Sequence, residues 1–237
     1  MKNINTLTLI LAGMAAFGST AVPAAAQTPP PPKVQIPQPG VPQIMTLEGK
    51  FVRAAYNNEG YVILGYQPAN RSIGEEWMLL EVGITLRDGV KNYDFKRDAL
   101  SIETPDGTTL PLPSTPEFRA GSTQALQTRA KVQRDSINYF PPGATQACRL
   151  GFFSDLDDRA MPWDQVELSD RRACLGRLYF KVPGGIKYGQ HWLNVKFRDS
   201  LIRVPFRILT QDEEKLLSKN FKAISEQVKE AFSPKKK

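Results

Sequence analysis

The sequence predicts a mainly β protein, an antiparallel sandwich followed by a C-terminal amphipathic α-helix. Three observations carry this. Apolar and polar residues alternate along several short runs between Leu47 and Leu209, the period-two pattern of strands with one buried face. Turn-forming residues divide these runs at short intervals, as in sheets joined by hairpins. Beyond Thr210 the apolar spacing changes to that of a helix.

The chain has 237 residues and divides into four segments. Residues 1–26 read as a signal peptide. Lys2 is the positive start, residues 7–18 form an apolar run too short for a permanent membrane span, and Ala24-Ala25-Ala26 supply small residues for cleavage. Residues 27–45 form a proline-rich spacer with seven prolines between Pro29 and Pro42, a composition that favours extended polyproline geometry over a core. Residues 46–209 are the β-sandwich domain, and residues 210–237 the helix with its basic tail, Lys235 to Lys237. The expected location is therefore extracytoplasmic, periplasmic or secreted.

Within the domain, residues 50–56 and 61–66 flank Asn57-Asn58-Glu59-Gly60, a hairpin connection. In the run Trp77–Leu86, Met78, Leu80, Val82, Ile84 and Leu86 share one face, with Glu81 and Thr85 expected on a solvated one. Residues 100–104 and 108–112 flank Pro105-Asp106-Gly107, where Pro presets one turn dihedral and Gly permits positive φ. Residues 122–133 suit a short helix marked by Leu126, Ala130 and Val132, or a loop. Alternation returns at residues 174–182, 193–197 and 202–208. Pro205 places the last strand at a sheet edge or a bulge. Thr210 and Glu213 fit a capping box for a helix over residues 211–232, whose apolar stripe is Leu217, Phe221, Ile224 and Val228. That stripe either packs on the sandwich or serves as a docking helix.

Export changes the reading of Cys148 and Cys174. They are the sole pair and are predicted to form a structural disulfide. The segment they bracket holds Phe152, Phe153 and Trp163, the candidate aromatic binding surface, or else filling beneath the disulfide. Asp155, Asp157 and Asp158 form the densest acidic cluster, a candidate weak calcium site that lacks the EF-hand glycine and terminal glutamate. Arg159, Arg171 and Arg172 are placed to neutralise it. Asn70-Arg71-Ser72 fits the glycan-acceptor pattern.

The runs Trp77–Leu86, Leu100-Ser101-Ile102 and Thr104-Pro105-Asp106-Gly107, with Gly176-Arg177-Leu178-Tyr179-Phe180-Lys181-Val182-Pro183 ahead of Leu193-Asn194-Val195-Lys196-Phe197, resemble exported bacterial immunoglobulin-like sandwich domains, several of them uncharacterised. The resemblance covers residues 51–208 and implies a fold, an immunoglobulin-like sandwich. It implies no reaction and supplies no catalytic residues.

Composition removes other classes. A single imidazole, His191, builds no multi-His metal site and is expected to pack at a strand edge. There is no Gly-x-Ser-x-Gly elbow and no phosphate-binding glycine loop, so neither nucleotide nor other small-molecule cofactor is expected. The formal charge of +7 would suggest nucleic acid inside a cell. Outside it, nucleic acid is not the expected partner, and acidic polymers or anionic lipid surfaces are. The expectation is a non-enzymatic binding or interaction module of the cell envelope, engaging another envelope protein or a cell-surface polymer. The alternatives are an envelope hydrolase using the acidic loop, and a protein held at the membrane surface by its C-terminal helix and lysines.

Overall fold

A computed structural model describes residues 43–154 and 161–232. The signal and spacer readings over residues 1–42, the acids Asp155, Asp157 and Asp158, and Lys235 to Lys237 lie outside the described residues. The chain runs β1 (Ile44–Gly49), β2 (Val52–Tyr56), β3 (Gly60–Gly65), α1 (Gln67–Asn70), β4 (Trp77–Leu86), β5 (Tyr93–Lys96), β6 (Leu100–Glu103), β7 (Thr109–Pro111), α2 (Thr115–Ala120), α3 (Gln124–Val132), β8 (Gln146–Arg149), β9 (Gln165–Leu168), β10 (Arg172–Lys181), β11 (Gly189–Lys196), β12 (Leu201–Ile208) and α4 (Gln211–Phe232). β1 begins inside the stretch read as spacer.

The strands form a six-stranded sheet ordered β1-β2-β3-β4-β10-β8, a four-stranded sheet ordered β12-β11-β6-β7, and a small β5-β9 pair. The first two close on a common core that includes Val62, Leu64, Leu80, Val82, Leu193 and Val204. The fold is mainly β and its ladders are antiparallel with one exception. β8 pairs parallel to β10, because the chain between them is long enough to cross over and re-enter in the same direction. Cys148 lies directly opposite Cys174 in that pair, and the two are disulfide-bonded with Cα atoms 4.1 Å apart.

The turn chemistry acts where the sequence places it. Asn57 caps its own hairpin, its Oδ1 accepting the N–H groups of Glu59 and Gly60 at 2.9 Å each. Gly107 takes φ +83°, and the Asp106 carboxylate accepts from the Thr108 N–H and the Thr104 hydroxyl. Pro205 sits in β12, an edge strand, where its missing N–H costs no ladder bond. Beside it, the Gln43 carboxamide pairs with the backbone of Arg203, accepting its N–H at 3.0 Å and donating to its carbonyl at 2.8 Å.

α4 keeps the predicted bounds and cap: the Thr210 N–H donates to Glu213 at 2.9 Å and the Glu213 N–H to Thr210 Oγ1 at 3.3 Å. The helix lies along β1, with Val228 buried and Leu217, Phe221 and Ile224 packed on the core. The stripe considered as a docking helix is thus taken up by its own domain. Among the described residues no helix is long and apolar enough to cross a membrane.

The main departure from expectation is β4. All ten residues are buried, including Glu81 and Thr85, which alternation placed on a solvated face. Residues 114–140 cover part of the outer side of the six-stranded sheet. Phe118 of α2 packs on Trp77 and Tyr179 with ring centroids 6.0 and 4.7 Å away. α3 buries Leu126 and Ala130 but leaves Val132 86% exposed at its end. Residues 134–140, without regular secondary structure, then cross over β2, β3 and β4. Gly65 and Gly83 admit them: a Cβ on Gly65 would lie 2.8 Å from Asp135 Cβ, and one on Gly83 would lie 2.6 Å from the Phe140 ring.

Candidate functional site

The outer layer is incomplete over β4 and β10, and the gap is an open cleft of about 590 Å3. Its floor is Glu81 of β4 and Arg177 of β10, paired directly across the ladder. One wall is the crossing segment 134–140, here called the strap, with Arg134 and Asp135. The other follows β8, with Arg149 and Phe153. Alternation puts Glu81 and Arg177 on the same outward face, and the antiparallel register brings them together.

The hydrogen bonds tie the strap to the sheet. Glu81 Oε2 accepts the Asp135 N–H at 2.9 Å, and Arg177 Nε lies 3.7 Å from Glu81 Oε1. Asp135 Oδ2 accepts the Gln67 N–H at 2.8 Å. Burial raises the Glu81 carboxyl to about 7, against the lowering effects of the Asp135 N–H and Arg177. Burial likewise raises Asp135 to about 6, opposed by the Gln67 N–H and the nearby Arg53 guanidinium. Two carboxyls therefore titrate near neutrality in one cleft, though each already holds a backbone N–H.

The residues singled out from the sequence lie elsewhere or behave differently. Phe152 is fully buried against Phe95, with centroids 6.4 Å apart. Phe153 turns the opposite way into the outer layer, against Phe118 at 4.7 Å and Tyr179 at 5.4 Å. The Arg97 guanidinium donates to the Phe152 carbonyl and lies over the Phe153 ring. Neither ring is freely exposed, though Phe153 lines one wall of the cleft. They fill space, because an edge strand tied down by a disulfide needs apolar filling under it. Trp163 alone of the three is exposed, at 45%. It sits against Gly151, with the Arg149 guanidinium 6.0 Å from its ring.

Among the described residues no group of three or more acids, cysteines and histidines could hold a metal ion. Arg129, near Lys131 and Arg134 in the sequence, is bonded to Ser72 Oγ at 2.8 Å and Glu75 at 2.7 Å. Asn70 of the glycan-acceptor pattern is buried and accepts the Leu209 N–H at 2.6 Å, so its amide faces inward. The sequence reading missed Glu81 and Asp135. One signal was present: the outward positions of β4 are Trp77, Leu79, Glu81, Gly83 and Thr85, a single charge on a face supposed to be solvated.

His191 is completely buried, stacked on Phe206 at 5.3 Å. Its Nδ1 lies 3.1 Å from the Gly189 carbonyl. A carbonyl only accepts, so Nδ1 carries the proton, and Nε2 is left without a partner. Burial holds its pKa below the usual 6.5. The folded protein thus keeps His191 neutral where an unfolded chain would protonate it. This stabilising contribution is present above pH 6.5 and is lost as the pH falls through the folded value. A His191→Leu variant is expected to lose less stability than the parent between pH 7 and pH 5 in parallel urea titrations. An equal loss in both would show that the imidazole does not titrate with unfolding.

Comparison with protein-family models, with curated proteins and with solved structures returns no match for this chain. Function must therefore be argued from the cleft itself.

Proposed function

We propose that this protein is an exported, non-catalytic binding module of the cell envelope, built on an immunoglobulin-like sandwich, and that its binding site is the cleft over β4 and β10. The supporting observation is the cleft itself: an open trough beside the fully buried strand β4, with Arg134 and Arg149 on its walls and Arg177 paired with Glu81 on its floor. Clefts that present a few charged groups on a rigid scaffold suit recognition. The positive rim suits an acidic stretch of an envelope protein or cell-surface polymer. A disulfide and the absence of a membrane-spanning helix among the described residues accord with export.

A photoreactive amino acid at Asn138, on the rim, tests this in the native envelope, with Lys215 on the exposed side of α4 as the control position. A defined crosslinked product from position 138, absent from position 215 and lost in Arg134→Glu, is expected. Identical products from both positions, or none from position 138, would refute the cleft as the site.

Glu81 and Asp135 favour a second reading, a hydrolase, since carboxyls raised toward neutrality are typical of acid–base sites. That reading requires Glu81 to release the Asp135 N–H and reach a substrate. Turnover of an envelope polymer that disappears in Glu81→Gln while binding persists would establish it in place of the first.

A further inference from the structure

The strap is held by apolar packing and by hydrogen bonds to carboxyls. Ile137 and Phe140 pack on Val52, Ala54 and Ile63, a small apolar cluster separate from the main core. Beyond that cluster, its polar fastenings include two backbone N–H groups that end on carboxyls: Asp135 N–H on Glu81, and Gln67 N–H on Asp135. We infer that residues 134–140 form a releasable strap over the outer face of the six-stranded sheet, closed while Glu81 and Asp135 are protonated and lifting as they lose their protons.

Burial sets the direction, against the charges that face the two carboxyls. Glu81 faces Arg177 on β10, and Arg134 and Asp135 on the strap. Asp135 faces Arg53 on β2 and the backbone N–H groups of Tyr66 and Gln67. Arg53 is itself occupied by the Tyr66 hydroxyl at 2.5 Å and by the carbonyls of Gly49, Lys50 and Val52. These cations and donors favour the ionised carboxyls. Their burial between strap and sheet disfavours them more strongly, and two carboxylates side by side repel. Ionisation therefore costs the closed state and is relieved when the strap lifts and water reaches both groups. The sign follows: both folded values lie above the ordinary 4.5 and 3.8. Closure is favoured fully below about pH 4 and is lost as the pH rises through 6 to 7.

Lifting would have two effects together. It removes the cleft wall formed by Arg134 to Asn138, and it exposes Val52, Ala54 and Ile63. The inference does not depend on what the cleft binds.

Hydrogen exchange on the full chain tests it through the two amides concerned, those of Asp135 and Gln67, with β11 amides reporting global unfolding. Rates are corrected for the intrinsic pH dependence of exchange. Between pH 5 and pH 8 the protection of both amides is expected to fall by several hundred-fold, about 100-fold from Glu81 moving from its ordinary value to about 7 and about tenfold from Asp135 moving to about 6. Protection in β11 should remain unchanged. In Glu81→Gln the fall should shrink to about tenfold, the share of Asp135, and in Asp135→Asn to about 100-fold, the share of Glu81, should the first variant not fold. PH-independent protection in the parent, an undiminished fall in the folded variants, or a matching fall in β11 would each overturn the inference.

Discussion

Replacing Phe152 with alanine is expected to lower the unfolding free energy by about 3–5 kcal/mol. The ring is fully buried and continues a chain of aromatic contacts through Phe95 to Phe197, with centroids 6.4 and 6.1 Å apart. Truncation would leave a cavity between the β5-β9 pair and the main core, where rigid strands allow little collapse. Urea denaturation followed by far-UV circular dichroism gives the number. Trp163→Ala, made on the exposed ring of the same segment, is expected to cost about 1 kcal/mol or less. A Phe152→Ala protein of unchanged stability and weakened binding would return this ring to the surface role its position between the cysteines first suggested.

Reduction of the Cys148–Cys174 bond should cost about 3 kcal/mol, the loop-restraint value for a sequence separation of 26 residues. The effect should be local as well as global. β8 has four residues, lies at the edge of the six-stranded sheet and has β10 as its only sheet neighbour. Its single covalent tie to that neighbour is the disulfide. Urea midpoints with and without reductant measure the first effect, and exchange of the Cys148 and Arg149 amides the second. A midpoint change equivalent to less than about 1 kcal/mol would mean that β8 and its packing already hold the loop closed.

The sequence was most legible where the determining signals are local. The bounds of β4 and α4, the Thr210–Glu213 cap, the two turns at Asn57 and Gly107 and the edge position of Pro205 all depend on residues within a few positions of one another. The cysteine pairing was legible because there was no other choice. What escaped depends on segments distant in the chain. Glu81 looked like a solvated charge because its cover, Asp135, comes some fifty residues later and has no apolar periodicity to announce it. Phe152 and Phe153 looked equivalent as a pair. Successive residues there face opposite sides of the sheet edge, so one enters the core and the other the outer layer. Val132 looked like a helix anchor, but α3 ends there and the burial stops at Ala130. The parallel entry of β8 follows from a crossover, which alternation along a strand cannot register.

Gln43 leaves a last consequence for how molecules of this protein meet one another. Its carboxamide answers the outward backbone groups of Arg203 much as a neighbouring chain would, and Pro205 two residues on offers no donor. The rim of the four-stranded sheet therefore presents little for a second copy to zip onto. A chain trimmed to start at Ile44 would regain that sticky border, and its tendency to polymerise would rise without any change in its interior.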